Sequence, residues 1–310
     1  MSGQDRAIFL SISKEECYAQ KIMSIQWHFD GERRWLIMGK PKGFTLIELL
    51  VVIAIIALLL AIMLPALGRV KKQAKEVTCQ AKLKQWSLVF RMYANDNDGY
   101  FPTGPYGDQG AIPLMWMSAM RPYVGEGNDL YLCPMATTPA TDWSGGSTGA
   151  HHPNMAWGIY LTPTSWGAQR GDVGSYGISE YTGGRGISRG RWDEYWQSPD
   201  VKTAGRIPMF ADCTYVDGTP LQTDSPPLYD GQPRISGGTS PAGEMNHFCT
   251  SRHNGSINML FMDMSVRKVG LKELWTLKWH RRFDTAGFYT RAGGMRPEDW
   301  PEWMRHFKDY

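Results

Sequence analysis

Lys40-Pro41-Lys42-Gly43 leads directly into Phe44-Thr45-Leu46-Ile47-Glu48-Leu49-Leu50-Val51-Val52, and the junction between the two stretches decides how the rest of the chain is read. From Phe44 to Leu64 there are 21 residues and a single charge, Glu48. At about 1.5 Å per residue, a helix of that length spans roughly the 30 Å hydrocarbon core of a bilayer. The stretch therefore predicts one transmembrane helix over 44–64. A secretory signal peptide would have a shorter apolar region ending in a small-x-small cleavage site. Here the apolar run is long and continues into a polar helix, so any cleavage precedes it.

The junction resembles the class III signal of type IV prepilins and type II secretion pseudopilins. The resemblance implies that a prepilin peptidase cuts on the cytoplasmic side between Gly43 and Phe44 and that the new N-terminus, Phe44, is methylated. It also implies that Glu48 neutralises the N-terminus of an adjacent subunit during assembly. Elementary electrostatics agrees. An isolated carboxylate in a membrane segment costs a few kcal/mol or more, so Glu48 needs a partner. An amino terminus at Phe44 is four residues away, and an acid near a helix N-terminus is favoured by the helix dipole.

Pro65 stands directly after the apolar run, where a proline removes a helix hydrogen bond and is expected to kink or locally melt the helix. Type IV pilins resemble this chain in having a proline at that place. Beyond it Val70, Ala74, Val77, Ala81, Leu88 and Met92 follow steps of three, four or seven. This spacing predicts an amphipathic continuation over 65–97 that packs on a globular head. Residues 69–91 also contain seven basic side chains and one acid, Glu76. The positive-inside rule alone would place that side in the cytoplasm, whereas the processing motif places it outside. A basic helix face is then expected against acidic surfaces of neighbouring subunits or anionic headgroups.

Residues 1–43 read as a cytoplasmic leader without the composition of a folded domain. Counting from Met38 gives Met38-Gly39-Lys40-Pro41-Lys42-Gly43, a short basic leader of the usual prepilin kind. Residues 1–37, with Cys17, would then reflect a start codon placed too early. Over all 310 residues, 33 Lys+Arg against 30 Asp+Glu leave a net charge of only +3, which argues against a nucleic-acid partner. The 42% hydrophobic and 20% charged residues exclude a disordered chain and a many-span membrane protein.

After the helix, Asn95-Asp96-Asn97-Asp98-Gly99 followed by Pro102 predicts a C-cap and a loop. A calcium loop with Gly99 in sixth place would begin at Ala94 and end at Pro105, neither of them a ligand. Residues 98–310 form the expected head, turn-rich with short apolar pieces such as Ile207 to Ala211. Near its end, Arg252-His253-Asn254-Gly255 is followed by Ser256-Ile257-Asn258-Met259-Leu260-Phe261-Met262-Asp263-Met264-Ser265. This resembles the H-x9-DG motif of a prepilin-type family, with Met264 in place of the glycine. Tyr131-Leu132-Cys133-Pro134, Gly174-Ser175-Tyr176-Gly177 and Pro208-Met209-Phe210-Ala211-Asp212 resemble weaker landmarks of that family. Physically, Asn254-Gly255 is a turn signal and the alternation after it predicts a strand. That strand would keep His253 and Asp263 about 30 Å apart, each securing its own turn.

Metal and catalytic patterns are sparse. His247, Cys249, His253 and Asp263 lack paired zinc-ligand spacing. Gly145-Gly146-Ser147-Thr148-Gly149 and Gly186-Ile187-Ser188-Arg189-Gly190 both satisfy G-x-S-x-G, yet neither sits between a clear strand and a helix. No cofactor is expected, with calcium or zinc as the alternatives. Trp143, Trp157, Trp166, Trp192 and Trp196 are expected in packing, with a sugar-binding surface as the other use. Cys79 lies on the helix, and two of Cys133, Cys213 and Cys249 could pair outside the cytoplasm. Leu271, Leu274, Trp275 and Leu277 predict a short amphipathic helix packed on the head.

These readings converge on an α+β, pilin-like subunit with a long N-terminal helix and a β-rich, loop-heavy head. The expected work is non-enzymatic assembly. Helix-on-helix contacts of one heterologous type generate an open helical filament. By resemblance, its partners are prepilin peptidase, other pilins or pseudopilins and an inner-membrane assembly platform. A secretion pseudopilus is the first expectation. A pilus for adhesion, motility or uptake is the alternative, and a membrane-anchored enzyme or metal-binding protein is the opposing class.

Overall fold

The computed structural model describes residues 44–102, 116–125, 129–140, 150–160, 163, 168–183, 192–196, 200–232 and 243–310. The leader with Gly43 and Cys17, both G-x-S-x-G loops, Trp143, Trp166 and the 103–105 end of the calcium loop lie outside the described residues. The chain divides between Leu59 and Leu60. On the first side of that division the apolar segment is a helix whose side chains are exposed.

Helix α1 spans Leu46–Asp96, 51 residues, and its assignment is uninterrupted at Pro65. A proline removes one hydrogen bond, and the flanking Met63-Leu64 and Ala66-Leu67 are strong helix formers that carry the helix across it. The expected local melting is not seen. At its far end Asp98 adopts the left-handed conformation (φ 53°) and the Gly99 amide donates to the Ala94 carbonyl at 2.8 Å, a Schellman-type closure.

The buried face of α1 is not the stripe expected from the sequence. Val70, Ala74, Val77, Ala81, Leu88 and Met92 are all exposed. Cys79, Leu83, Trp86 and Phe90 face inward instead, with Lys82, Ser87, Val89 and Ala94 beside them. Steps of four, three and four define that face equally well. Trp86 and Phe90 decide the choice, because aromatic side chains bury far more apolar area than alanine or valine. Trp86 meets Trp116 and Phe210 at ring separations of 5.3 Å each, and its indole N–H donates to the Leu130 carbonyl.

A five-stranded mixed sheet forms the centre of the 60–310 unit. Its strands are β3 (Tyr176–Ser179), β4 (Pro208–Asp212), β5 (Asp217–Gly218), β6 (Ser256–Phe261) and β7 (Val266–Gly270), after a two-residue pair, β1 (Thr138–Pro139) and β2 (Met155–Ala156). The sheet order is β5-β3-β4-β6-β7, antiparallel except for the β3/β5 edge. Every residue of β4 and β6 is buried, as befits central strands covered on both faces. A second helix, α2 (Trp116–Val124), contributes Trp116 and Met120 to the same core. Leu271–Thr276 is a 3-10 segment that buries Leu271, Leu274 and Trp275. The protein is thus α+β, a long apolar N-terminal helix whose second half packs on a sheet-containing head.

The basic residues of α1 are partly absorbed by this packing. Lys82 reaches the Asp129 carboxylate at 3.0 Å and the carbonyls of Asp129 and Leu132, while Lys84 donates to the Met264 carbonyl. Glu76 pairs with Lys268 of β7 at 2.9 Å. Lys82 and Lys84 therefore bond the head of their own chain.

Candidate functional site

Two places carry chemistry, the start of α1 and a buried polar cluster beneath its second half. At the first, Thr45 stands just before the helix and its hydroxyl accepts the Glu48 amide at 3.2 Å. The Glu48 carboxylate in return accepts the Thr45 amide and hydroxyl, each at 2.8 Å. This reciprocal arrangement is a capping box, and Thr-x-x-Glu is its sequence signature. Glu48 thus has a partner in Thr45 besides the amino terminus expected from the sequence, and the Thr-x-x-Glu spacing is the signal for it. Phe44, at the proposed new terminus, is exposed, as are the apolar side chains Leu46, Ile47, Leu50, Ile53 and Leu58 beyond it. Among the described residues α1 is the one helix long and apolar enough to cross a membrane.

The second place gathers Cys79 from α1, Cys133 from the Tyr131-Leu132-Cys133-Pro134 loop, Asp212 from the end of β4 and His253 from the turn before β6. One ligand-type atom from each lies within 4.8 Å of all the others, and all four residues are buried. His253 Nε2 is 3.0 Å from Asp212 Oδ2 and 3.5 Å from the Cys133 sulfur. Cys79 Sγ is 3.6 Å from Asp212 Oδ2 and accepts the Tyr176 hydroxyl at 3.3 Å. One residue from each of four family-like landmarks, Cys133, Tyr176, Asp212 and His253, therefore meets at this point, while Asp263 does not.

Arg252 closes the cluster from behind. Its Nε donates to the Pro153 carbonyl, one terminal nitrogen to the Ser175 carbonyl and to Asp212 Oδ1, and the other to the Met155 and Cys213 carbonyls. A guanidinium has five N–H groups, so this fully buried arginine has a carbonyl or carboxylate for each. Burial opposes the Asp212 charge, but His253, Arg252 and the Asn258 amide outweigh it and hold the carboxyl well below its usual range. Burial likewise opposes a charged His253 ring, yet the Asp212 carboxylate raises its pKa to about 10. Burial pushes the Cys79 thiol up, whereas hydrogen bonds from Cys79 and His253 bring Cys133 below the usual thiol value.

These contacts correct several expectations. His253 does more than secure its turn: its backbone bonds Ser256, while its side chain belongs to the cluster. Asp263 stays in its own turn, where Oδ1 accepts the Ser265 amide at 2.8 Å. Met264, where the family pattern has glycine, adopts φ 65°, the left-handed conformation that glycine reaches without strain. His247 and Cys249 do not join His253 and Asp263 as metal ligands. The His247 Nδ1 instead contacts the Asp217 carbonyl at 2.7 Å, and burial drives the Cys249 thiol well up. All four cysteines of the described residues are free and buried, and Cys133 sits beside Cys79 of the helix, not beside Cys213 or Cys249. Trp157 and Trp196 are buried, with indole N–H groups bonded to the Tyr176 and Trp279 carbonyls, so they offer no sugar-binding surface.

Comparison with known proteins speaks to the first place. A family model described as the prokaryotic N-terminal methylation motif matches residues 38–64. The chain is 46% identical over 63 residues to the type IV wide pilus major component PilA4 of Thermus thermophilus, a match covering 20% of this chain and 48% of that protein. The chain thus spans about half the length of the curated relative it matches. No solved structure matches. The protein is type IV prepilin-like, with a prepilin N-terminal methylation motif at the start of its long helix.

Proposed function

We propose that this protein is a non-enzymatic filament subunit, cut by prepilin peptidase between Gly43 and Phe44, methylated at Phe44 and assembled through α1. The observation that carries the reading is the continuous exposure of large apolar side chains from Phe44 to Val70. Such a surface needs lipid before assembly and neighbouring helices after it. In this reading residues 44–64 cross the inner membrane once, the head lies outside the cytoplasm, and an inner-membrane platform extracts the subunit into the filament. Glu48 draws the incoming subunit into register by pairing with an amino terminus, and Pro65 marks the end of the membrane-buried part.

The filament is a type II secretion pseudopilus in the reading drawn from the sequence. The printed name of the PilA4 relative favours a pilus as the second reading. Deleting the gene separates them. Loss of secreted proteins with surface filaments intact supports the pseudopilus, and loss of surface filaments with secretion intact supports the pilus. A head found on the cytoplasmic side by protease accessibility contradicts both.

A further inference from the structure

We propose that Cys79, Cys133, Asp212 and His253 form a tetrahedral site for a borderline-soft divalent cation, zinc in the first instance, that pins α1 to the head. The donor set is two thiolates, one imidazole and one carboxylate, a combination that suits zinc. Metal–ligand bonds of 2.0–2.3 Å in a tetrahedron imply ligand–ligand separations of roughly 3.3–3.8 Å. The cluster already has Cys79 to Asp212 at 3.6 Å and Cys133 to His253 at 3.5 Å. The His253 to Asp212 contact, at 3.0 Å, is shorter than this range. It needs to open by about 0.3 Å once a cation replaces the shared proton.

The surroundings fit the same occupant. Two thiolates and the Asp212 carboxylate carry three negative charges, and a divalent cation with the Arg252 guanidinium supplies three positive ones, so the loaded site is electroneutral in a place where net charge is costly. The groups behind the ligands hold them in position: Tyr176 donates to Cys79, the Asn258 amide donates to Asp212 Oδ2 at 2.9 Å, and Arg252 holds Asp212 Oδ1 at 3.1 Å. An ion-pair network alone does not call for the sulfurs. Arg252, His253 and the Asn258 amide already occupy Asp212, yet two cysteines from distant parts of the chain also converge there. The four ligands come from α1, the loop between α2 and β1, β4 and the turn before β6, so one cation joins four separate segments of the 60–310 unit. No spacing of the kind found in zinc ribbons announces the site, because its ligands lie 41 or more residues apart.

The test uses the full chain extracted from membranes in detergent, prepared with and without a thiol reductant. Metal content is measured as isolated, and again after loading the reduced protein with zinc and dialysing it. Cobalt is titrated in parallel, since a tetrahedral thiolate site gives sulfur-to-cobalt charge-transfer bands and intense visible bands. One equivalent of zinc, a cobalt spectrum of that kind and a rise in Tm reversed by chelator support the site. Cys79→Ser and Cys133→Ser should each abolish the charge-transfer bands or weaken binding by 10-fold or more, while Cys249→Ala should leave one equivalent bound. Folded, reduced wild-type protein that takes up no metal overturns the proposal. So does a Cys79–Cys133 disulfide, seen as a mass two hydrogens lower and a linked peptide, in protein that binds no metal. Equal cobalt spectra in wild type and Cys133→Ser also overturn it.

Discussion

Asp212 and His253 face each other at 3.0 Å in the interior of the head, with neither side chain more than 1% exposed. Asp212 also accepts from Arg252 and from the Asn258 amide, so its charge is buried but fully answered. Removing one member of such a network leaves the others charged and unpaired, which typically costs 3–5 kcal/mol. Asp212→Ala is therefore expected to lower the unfolding free energy by about that amount. Asp263→Ala, at the exposed end of the motif, should cost only about 1 kcal/mol, one turn hydrogen bond. Denaturant titration of the two variants in the same detergent compares them. Equal losses would place the cluster outside the energetics of the head.

Glu48 caps its own helix through Thr45, and in the proposed function it also presents a negative charge for assembly. Glutamine can close the Thr45 capping box but carries no charge. Glu48→Gln should therefore be processed and inserted normally yet fail to enter filaments, as should Glu48→Ala, which additionally loses about 1 kcal/mol of helix stability. Filament incorporation of Glu48→Gln at the wild-type level would assign the work of this side chain to capping alone.

Met264 holds a left-handed backbone conformation that costs a non-glycine residue roughly 1–2 kcal/mol. A β-branched residue tolerates it worse, so Met264→Val is expected to destabilise the head by a further 1 kcal/mol or so. Met264→Gly relieves the strain but loses the half-buried methionine contact, and should change stability by less than about 1 kcal/mol. Thermal unfolding of the pair reads the difference. A valine variant as stable as the glycine one would contradict the left-handed turn.

His280 is buried against Tyr181 and Phe283, and burial with Lys278 nearby lowers its pKa to about 4. A histidine depressed below its unfolded value of about 6.5 contributes stability that is present above pH 6.5 and lost as pH falls through 4. The contribution is of order 2 kcal/mol. Asp224, raised to about 6 by burial, works in the opposite direction, losing stability as pH rises from about 4 to 6. His280→Gln removes only the first effect. The stability difference between wild type and His280→Gln should shrink by about 2 kcal/mol from pH 7 to pH 4. A constant difference would show that His280 titrates in the fold as it does in the unfolded chain, contradicting the depressed pKa.

The apolar run and its flanking lysines were legible because a bilayer-length helix with one acid has few alternative uses. Strand β6 and the turns at Asn254-Gly255 and Asp263-Met264 were legible as local chemistry. The buried face of α1 was not, since two helical stripes compete in 70–94 and only the tertiary partners of Trp86 and Phe90 select one. The cluster was hidden for a related reason. Cys79, Cys133, Asp212 and His253 show no joint spacing, and only the β4/β6 pairing with α1 packed across it brings them together.

The central claim, that α1 begins at a processed terminus, is tested most directly by the N-terminal sequence and intact mass of membrane-derived protein, made with and without the cognate prepilin peptidase. An N-methylated Phe44 terminus is expected only when the peptidase is present. An intact leader in both preparations would contradict it and leave α1 a plain membrane anchor.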